Sequence, residues 1–527
     1  MSKIQVEVRF TDKLESIRVG GQDMEIPNAI MTKSVEEWFE PAAGRVNWDG
    51  LGAEIKAMGF SGEKNTVYSF LFIGPEDKKQ EFMACVERFC LGEEAQQETK
   101  KKTVQDYLQE AKKNQQAGNA EMAFQQYMVA ARDYGHPEAQ FEVARCYQNG
   151  TGVEKSEENA LVWYKKAAEQ GYAEAQKKLG DCYNYGTGVA KDLEQAFECY
   201  RKAAEQGNAR AQNNLGVCYM KGSGIAKGPV QAAEWYARAA EQGLARAQYN
   251  LGYCYKTGEG VEKDPKKAAM WCEKAAEQGI AVAQNSIGYC YDTGFGVEKD
   301  TSKAVFWYRK AAEQGNVGAQ YKLGKCYYYG KGTEKDNEEA VKWFRKAAEQ
   351  GDADAQYKLG LFYKNGYGVA QNQEEAVKWY RKSAEQGYAD AQYNLAELLL
   401  SKDGKEAFKW YQKAAKQGHA GAQDSLGLCY EDMDMEAGAQ NSLSFLYDEL
   451  ELEREIEIDI YSGMGVETDS AKAVEWYRKA AEQGLGSAQY HLGRCYEGGH
   501  GVTKDLTKAA EWYRKAAEQG LGSAQYH

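Results

Sequence analysis

Apolar residues recur at helical spacing through most of this 527-residue chain. In the stretch 244–279, Ala247, Leu251, Cys254 and Tyr255 stand at positions i, i+4, i+7 and i+8. This spacing places all four on one side of a helix, because an α-helix completes a turn about every 3.6 residues. The pattern predicts a first helix with a single buried stripe.

A glycine turn and a second helix are predicted to follow. Gly258 and Gly260 can adopt left-handed backbone angles that other residues resist, so the first helix should end there. Val261 is expected to anchor the turn on the core, and Asp264 followed by Pro265 is typical of a helix N-cap and first turn. The second helix then carries the apolar residues Ala268, Ala269, Trp271 and Ala275, and Gly279 ends it.

This pattern recurs with a period of 36 residues between residues 136 and 520. A fixed period predicts ten stacked units, interrupted by two departures described below. Nine of the eleven tryptophans share the second-helix position of Trp271, where a large side chain should interlock neighbouring units. The N-cap of Asp264 recurs as Asp192, Asp300, Asp336, Asp469 and Asp505.

The units resemble Sel1-like repeats, relatives of the tetratricopeptide repeat with a longer, glycine-containing turn. The shared pattern is A-x-A-Q-x-x-L-G-x-C-Y-x-x-G-x-G-V-x-x-D-x-x-K-A-x-x-W-Y-x-K-A-A-E-Q-G. The resemblance implies a mainly α fold, a right-handed α-α superhelical solenoid in which the first helices line a concave surface. It also implies an adaptor or scaffold role, and it does not identify the partner.

Two units depart from the pattern. The unit 388–418 has 31 residues and no glycine turn, and the unit 419–484 has 66 residues because of an acidic insert at 431–460. Residues 450–460 alternate apolar and charged side chains, so we expect either a strand that could pair with a partner or an acidic loop. Residues 521–527 begin a further, incomplete unit, so the array is either short-capped or continues in a longer protein.

Residues 1–97 do not carry the repeat and are predicted to form a small α/β domain of unassigned family. Residues 98–135 are predicted to form a capping helix pair before the first unit. The elements expected in the N-terminal domain are strands at Ile4 to Phe10 and at 67–73, a helix opening at Ser34, a helix over 48–58 and a helix bearing Phe82.

The composition limits the possible partners. The chain has 79 acidic and 66 basic residues and a formal net charge of −13, so we expect no nucleic-acid partner. No apolar run is long enough for a membrane helix, and the first residues lack a secretory pattern, so we expect no membrane insertion. Eight of the twelve cysteines share the position of Cys254, which favours buried thiols in a reducing cytoplasm.

No catalytic motif is evident. The repeated Gly-x-Gly-Val lacks the third glycine and the preceding strand of a phosphate loop, so we interpret it as a structural turn. His491 and Cys495 stand at i and i+4 with His500 nearby and could gather a metal, but Cys495 occupies the core position of its unit. We therefore expect no catalytic residue, no metal and no cofactor.

Partner contacts are expected on the side of the first helix opposite its apolar stripe. In the unit 244–279, Tyr249, Tyr253 and Lys256 point away from Leu251. Stacked units would align such residues in an aromatic and polar track, a composition that favours protein contacts, although the tyrosines could also be filler without a partner. The predicted track is Tyr249, Tyr253, Lys256, Asn285, Tyr289, Tyr321, Lys325, Tyr328, Tyr357 and Tyr393.

These observations predict a cytoplasmic adaptor, not an enzyme, that binds a protein or peptide segment along the concave face. The N-terminal domain is expected to add a second contact or a localisation function. The sequence does not set the oligomeric state. Two other function classes stay open: a secreted bacterial effector acting on host proteins, and an enzyme with its site in residues 1–97.

Overall fold

The computed structural model describes residues 3–10, 14–19, 22–23, 61–66, 69–75, 102–431 and 467–525. The chain divides into two compact units, Met1–Ala175 and Gln176–His527, which we treat separately. The expected strand or loop of the acidic insert lies outside the described residues.

The first unit begins with an antiparallel five-stranded sheet in the order β3-β2-β1-β5-β4. The two predicted strands are present as β1 and β5, and they pair with each other, with Val6 opposite Phe72. The helices predicted at Ser34, at 48–58 and around Phe82 lie outside the described residues. The strands are β1 Lys3–Phe10, β2 Leu14–Val19, β3 Gln22–Asp23, β4 Ser61–Thr66 and β5 Ser69–Pro75.

Helices make up the rest of the described first unit. The first of them begins with a capping box, in which the Thr103 hydroxyl accepts from the Asp106 N–H and the Asp106 carboxylate accepts from the Thr103 N–H. The helices are α1 Val104–Gln116, α2 Ala120–Arg132, α3 Pro137–Asn149 and α4 Glu157–Glu169, and α5 Ala173–Tyr185 follows them.

In the second unit, consecutive helices from Leu193 to Glu518 pack against each other in chain order. This linear stack of helix pairs is the predicted solenoid. None of the described helices is long and apolar enough to cross a membrane. The helices are α6 Leu193–Glu205, α7 Ala209–Lys221, α8 Pro229–Glu241, α9 Ala245–Thr257, α10 Pro265–Glu277, α11 Ala281–Thr293, α12 Thr301–Glu313, α13 Val317–Tyr329, α14 Asn337–Glu349, α15 Ala353–Asn365, α16 Gln373–Glu385, α17 Ala389–Leu399, α18 Gly404–Lys416, α19 Ala420–Tyr430, α20 Ser470–Glu482, α21 Gly486–Gly498 and α22 Leu506–Glu518, followed by a short 3₁₀ turn at Gly522–Gln525.

The two glycines of each turn have different roles. Gly258 has φ 83° and ends α9, with its N–H donating to the Cys254 carbonyl at 2.8 Å. Gly260 has φ 76°, and a Cβ added there would overlap the carbonyl of Pro229 in the preceding repeat. The second glycine therefore lets the turn rest on the backbone of the previous repeat. The same contact recurs at Gly224, Gly296, Gly332, Gly368 and Gly501.

A capping aspartate closes most of the turns. Asp264 accepts from the Lys267 N–H at 3.0 Å through its side chain, and its own N–H donates to the Tyr255 carbonyl at 3.0 Å. In the repeat with the insert, the Asp469 N–H donates to the Tyr430 carbonyl at 2.9 Å. This hydrogen bond joins the residues on either side of the insertion point, so the turn is closed as in the other repeats. The predicted N-caps Asp192, Asp300, Asp336, Asp469 and Asp505 are confirmed.

Two neighbouring aromatic positions pack in different directions. Trp271 contacts a cluster that includes Tyr236 of the preceding repeat, which agrees with the predicted interlocking of units. The residue one position after the tryptophan packs within its own repeat. Tyr308 is 1% exposed, and a Cβ added at Gly288 would lie 2.7 Å from its ring. The first-helix glycine is therefore required by close packing as well as by the family pattern.

A buried glutamine ties each repeat to the one before it. Gln248 is 6% exposed, and its Oε1 accepts from Gln278 Nε2 of the same repeat at 2.8 Å. Its Nε2 donates to the Ala240 carbonyl of the preceding repeat at 3.2 Å. Both ends of the amide are thus satisfied in the core, so this side chain serves packing between repeats. The same pair of bonds occurs at Gln212, Gln284, Gln320, Gln356, Gln392, Gln423 and Gln489.

The shortened unit keeps its helix pair without a glycine turn. The N–H groups of Lys402 and Asp403 donate to the Leu399 carbonyl, and Asp403 caps α18.

The cysteines that share the position of Cys254 are buried, as predicted. Burial raises the pKa of the Cys254 thiol to about 11, so this thiol is protonated at neutral pH.

We expect Gly296→Ala to destabilise the array more than Gly279→Ala. Both residues have positive φ, 73° and 90°, so alanine at either carries a strain of about 1–2 kcal/mol. Only at Gly296 would the added Cβ overlap backbone, that of Pro265, because nothing lies within 4 Å at Gly279.

Urea unfolding followed by circular dichroism should therefore show a lower midpoint for Gly296→Ala, by the equivalent of at least about 1 kcal/mol relative to Gly279→Ala. Equal midpoints for the two variants would show that the contact with the preceding repeat does not contribute to stability.

Candidate functional site

The first helix of each repeat carries one set of side chains outside the core. In α9 the alanine, glutamine, leucine, glycine and cysteine at positions 3, 4, 7, 8 and 10 are buried. Positions 2, 5, 6, 9 and 12 are exposed or half-buried, and we call this set the first-helix face. In α9 the first-helix face consists of Arg246, Tyr249, Asn250, Tyr253 and Lys256.

The predicted track residues differ in exposure along this face. At position 9, Tyr253 is 46% exposed and Tyr289 is 38% exposed. Lys325 at position 9 and Lys256 at position 12 are also exposed. These four side chains are open to a partner. The other predicted residues are half-buried: Tyr249, Asn285, Tyr321, Tyr328, Tyr357 and Tyr393.

The half-buried tyrosines contribute their rings to packing. Tyr321 lies 5.8 Å from the Phe344 ring, and Tyr393 stacks on His419 with ring centres 4.6 Å apart. Tyr328 lies 5.0 Å from the Phe362 ring of the next repeat. These residues therefore join helices and repeats, and only part of each side chain is available at the face.

Polar side chains at positions 5 and 6 link successive first helices. Asn250 Nδ2 of α9 donates to Asn213 Oδ1 of α7 at 2.9 Å. The link is missing between α11 and α13. Asn285 Oδ1 is buried without a hydrogen-bond partner among the described residues, and the next position 6 is Lys322.

Lys322 belongs to a cluster of positive charge around one tyrosine. Its Nζ lies 5.0 Å from the centre of the Tyr289 ring, and Lys256 Nζ lies 5.0 Å from the same ring. With Lys325, these residues form what we call the lysine cluster. Lys322 was missed by the sequence analysis, although the three repeats before it carry asparagine or serine at position 6, as in Asn250.

The lysine cluster is electrostatically incomplete. Burial lowers the pKa of the Lys322 ammonium, and the charges of Lys256 and Lys325 lower it further, while Asp292 raises it. The Asp292 carboxylate, however, lies 2.7 Å from Lys331 Nζ. In the part of the chain that the structure describes, no carboxylate forms an ion pair with Lys322.

A buried hydroxyl beside the lysine cluster also differs from its counterparts. The second-helix tyrosine usually donates to the first-helix face of its own repeat, as from Tyr477 to Glu431 and from Tyr513 to Glu497, both at 2.7 Å. The Tyr308 hydroxyl is buried without such a partner among the described residues. Lys322 Nζ lies 5.3 Å from the Tyr308 ring.

The histidine and cysteine near the C-terminus do not converge on a common point. His491 Nδ1 lies 2.9 Å from Asp424 Oδ1, and the other oxygen of Asp424 accepts from the Ser487 hydroxyl at 2.6 Å. Cys495 is 2% exposed and belongs to the core. No group of His, Cys, Asp and Glu within the described ranges is arranged to hold a metal ion.

A linear stack of two-helix units with a variable face defines a helical repeat protein, the class that includes tetratricopeptide-like solenoids. The sequence profile of the Sel1 repeat matches more than half of the chain, so the chain belongs to the Sel1 repeat family, as predicted. The ten matched segments are 137–172, 173–208, 209–244, 245–280, 281–316, 317–352, 353–388, 389–419, 460–485 and 486–521.

A solved structure agrees with this assignment. The chain is 39% identical to a protective antigen of uropathogenic Escherichia coli that displays an SLR fold, with a TM-score of 0.66 over 76% of this chain and 80% of that chain. A Sel1 repeat protein from Oxalobacter formigenes is 37% identical, covering 46% of this chain and 96% of that chain, with a TM-score of 0.42. A comparison with curated proteins finds no match.

We expect the pKa of His491, which is buried beside Asp424, to lie above the ordinary value of histidine. Burial lowers the pKa of His491, but the Asp424 carboxylate, with Glu431, outweighs burial and the nearby Arg494 and raises it above 6.5. Because the folded-state pKa is raised, this interaction stabilises the fold below about pH 6.5 and is lost as the pH rises through the folded-state pKa.

NMR titration of ¹³C-labelled histidine, with the signal assigned by His491→Gln, should show a pKa above 6.5 for His491. Asp424→Asn should move that pKa below 6.5, because burial then dominates. An unchanged pKa in Asp424→Asn would disprove the pairing.

Proposed function

We propose that this protein is a scaffold that holds an extended segment of a partner protein along the first-helix face. The family resemblance implies that first helices line the concave side of the solenoid, where one segment could contact several repeats in succession. The buried position of the repeated cysteines supports a cytoplasmic location for this scaffold.

The observation that carries the proposal is a contrast between two parts of the repeat. One part is the set of buried contacts that join the repeats, which we call the frame, and the other is the first-helix face. The buried glutamine and the turn contacts recur in nearly every repeat. Position 9 of the face, by contrast, is Val217, Tyr253, Tyr289, Lys325 and Leu361 in consecutive repeats. A constant frame with a variable surface is the arrangement expected when stability and specificity reside in different residues.

Exposed tyrosines are the strongest candidates for partner contacts. Tyr253 and Tyr289 stand at the same position of adjacent repeats, and both expose more than a third of their surface. Tyrosine offers a large apolar area and a hydroxyl at low conformational cost, and such residues often contribute most of the binding energy of an interface.

We expect Tyr253→Ala/Tyr289→Ala to weaken binding of the natural partner about tenfold or more, because each substitution removes an exposed aromatic contact. A photo-crosslinking amino acid placed at Tyr253 should identify the partner in cells. The affinity of that partner for the wild type and for the double variant would then be measured with purified components.

The matched control is Met270→Ala/Phe306→Ala. These side chains are 42% and 50% exposed on the second helices of the same two repeats, and their loss should leave affinity within about twofold of wild type. Crosslinks from Phe306 instead of Tyr253, or an equal loss in both double variants, would move the binding site away from the first-helix face.

A further inference from the structure

We propose that the lysine cluster binds an acidic segment of a protein, in which the carboxylate of an Asp or Glu side chain pairs with Lys322 and, as the Lys322 side chain moves, reaches the buried hydroxyl of Tyr308. This inference rests on the proposed function, since it names the chemistry of the partner at the same face. It is carried by three observations: the charge of the face in four repeats, the ammonium of Lys322, which has no ion-pair partner among the described residues, and the hydroxyl of Tyr308, which has no hydrogen-bond partner among them.

In four consecutive repeats the charge of the first-helix face is opposite to that of the whole chain. The chain has a formal net charge of −13. Along α9, α11, α13 and α15, however, basic residues on the face outnumber acidic ones by six to two. Such a surface attracts acidic segments and repels basic ones. The basic residues are Arg246, Lys256, Lys322, Lys325, Lys358 and Lys364, and the acidic ones are Asp292 and Asp354.

Lys322 is the least satisfied of these charges. Its side chain is half-buried between the rings of Tyr289 and Tyr308 and forms no ion pair with a described residue. A desolvated ammonium is unfavourable unless a carboxylate compensates it. The nearby Asp292 is held by Lys331, so a partner carboxylate is the group that would complete the charge.

The equivalent tyrosines show where that carboxylate would sit. Tyr477 and Tyr513 donate to Glu431 and Glu497, which stand at position 12 of their own first helices. The equivalent residue of Tyr308 is Asp292, whose side chain is one methylene shorter and is engaged by Lys331. A partner carboxylate would therefore take the place that the chain's own glutamate fills in the repeats of Tyr477 and Tyr513.

The boundaries of the basic stretch favour a short acidic segment over a nucleic acid. The faces of α17 and α19 carry Asp390, Glu397, Asp424 and Glu431 and no basic residue. A polyphosphate strand that continued beyond α15 would meet these four carboxylates. A protein segment can present its acidic residues to four repeats and differ in charge outside them.

The test uses the purified full chain and a fluorescein-labelled peptide of alternating Glu and Ala, followed by fluorescence anisotropy. Lys256→Gln/Lys322→Gln/Lys325→Gln should weaken binding about tenfold or more, since three attractive charges are lost. The control Lys227→Gln/Lys263→Gln/Lys299→Gln removes the same charge from exposed turns and should stay within about twofold of wild type.

A second pair of variants tests the hydroxyl alone. Tyr308→Phe should weaken binding of the Glu peptide several-fold, because a hydrogen bond to a charged group is lost. Tyr380→Phe is the matched control. Its hydroxyl is also buried without a partner among the described residues, but it lies in the repeat 353–388, outside the lysine cluster, and its loss should leave the affinity unchanged.

Three results would overturn the inference. They are equal binding of a peptide with Gln in place of Glu, equal affinities of the two lysine variants, and tighter binding of a single-stranded oligonucleotide of the same length than of the Glu peptide. If a natural partner is crosslinked at Tyr253 and any of these results is obtained, the proposed scaffold function stands and the proposal of an acidic partner segment is rejected. If no partner is crosslinked at Tyr253 but the Glu peptide still binds and its binding depends on the lysines, the acidic-peptide site is retained. Only the assignment of the natural partner to this face is then rejected.

Discussion

The hydrogen bonds of one buried glutamine hold the repeats of this protein in a common register. Gln248 accepts from the end of its own second helix and donates to the end of the second helix before it. A carboxamide in the core is stabilising only when both of its ends are bonded, so each repeat must meet its predecessor in the same geometry. The contact of Gly260 with the Pro229 backbone enforces the same spacing at the turn. The frame also tolerates an insert, because Asp469 and Tyr430 close the turn around it.

Such a frame leaves the first-helix face free to vary, within limits set by packing. Tyrosines at position 5, such as Tyr321 and Tyr393, are drawn into contacts with neighbouring rings and serve the stack. Several side chains at positions 9 and 12 remain accessible, as Tyr253 and Lys256 do. The face therefore combines residues that join the repeats with residues that can contact a partner.

Around Lys322 the chain departs from its own pattern in several connected ways. An ammonium replaces the neutral residue that links first helices in the repeats just before it, and Asn285 Oδ1 and the Tyr308 hydroxyl have no hydrogen-bond partner among the described residues. Unsatisfied groups of this kind reduce stability and concentrate at binding sites, where a ligand completes them. The same repeats carry the excess of basic residues, which is why the acidic segment is proposed there.

Local signals in the sequence were sufficient for the helix pairs, the capping aspartates and the number of repeats, because a helix end depends on residues within a few positions of it. They were also sufficient to select Tyr253, Tyr289, Lys256 and Lys325 as accessible residues, since exposure on a helix follows its periodicity. The tertiary structure alone decided that position-5 tyrosines pack, that Lys322 enters the cluster and that the Tyr308 hydroxyl has no partner among the described residues. Those properties depend on contacts between separate helices and between successive repeats, which helix periodicity within one segment does not specify.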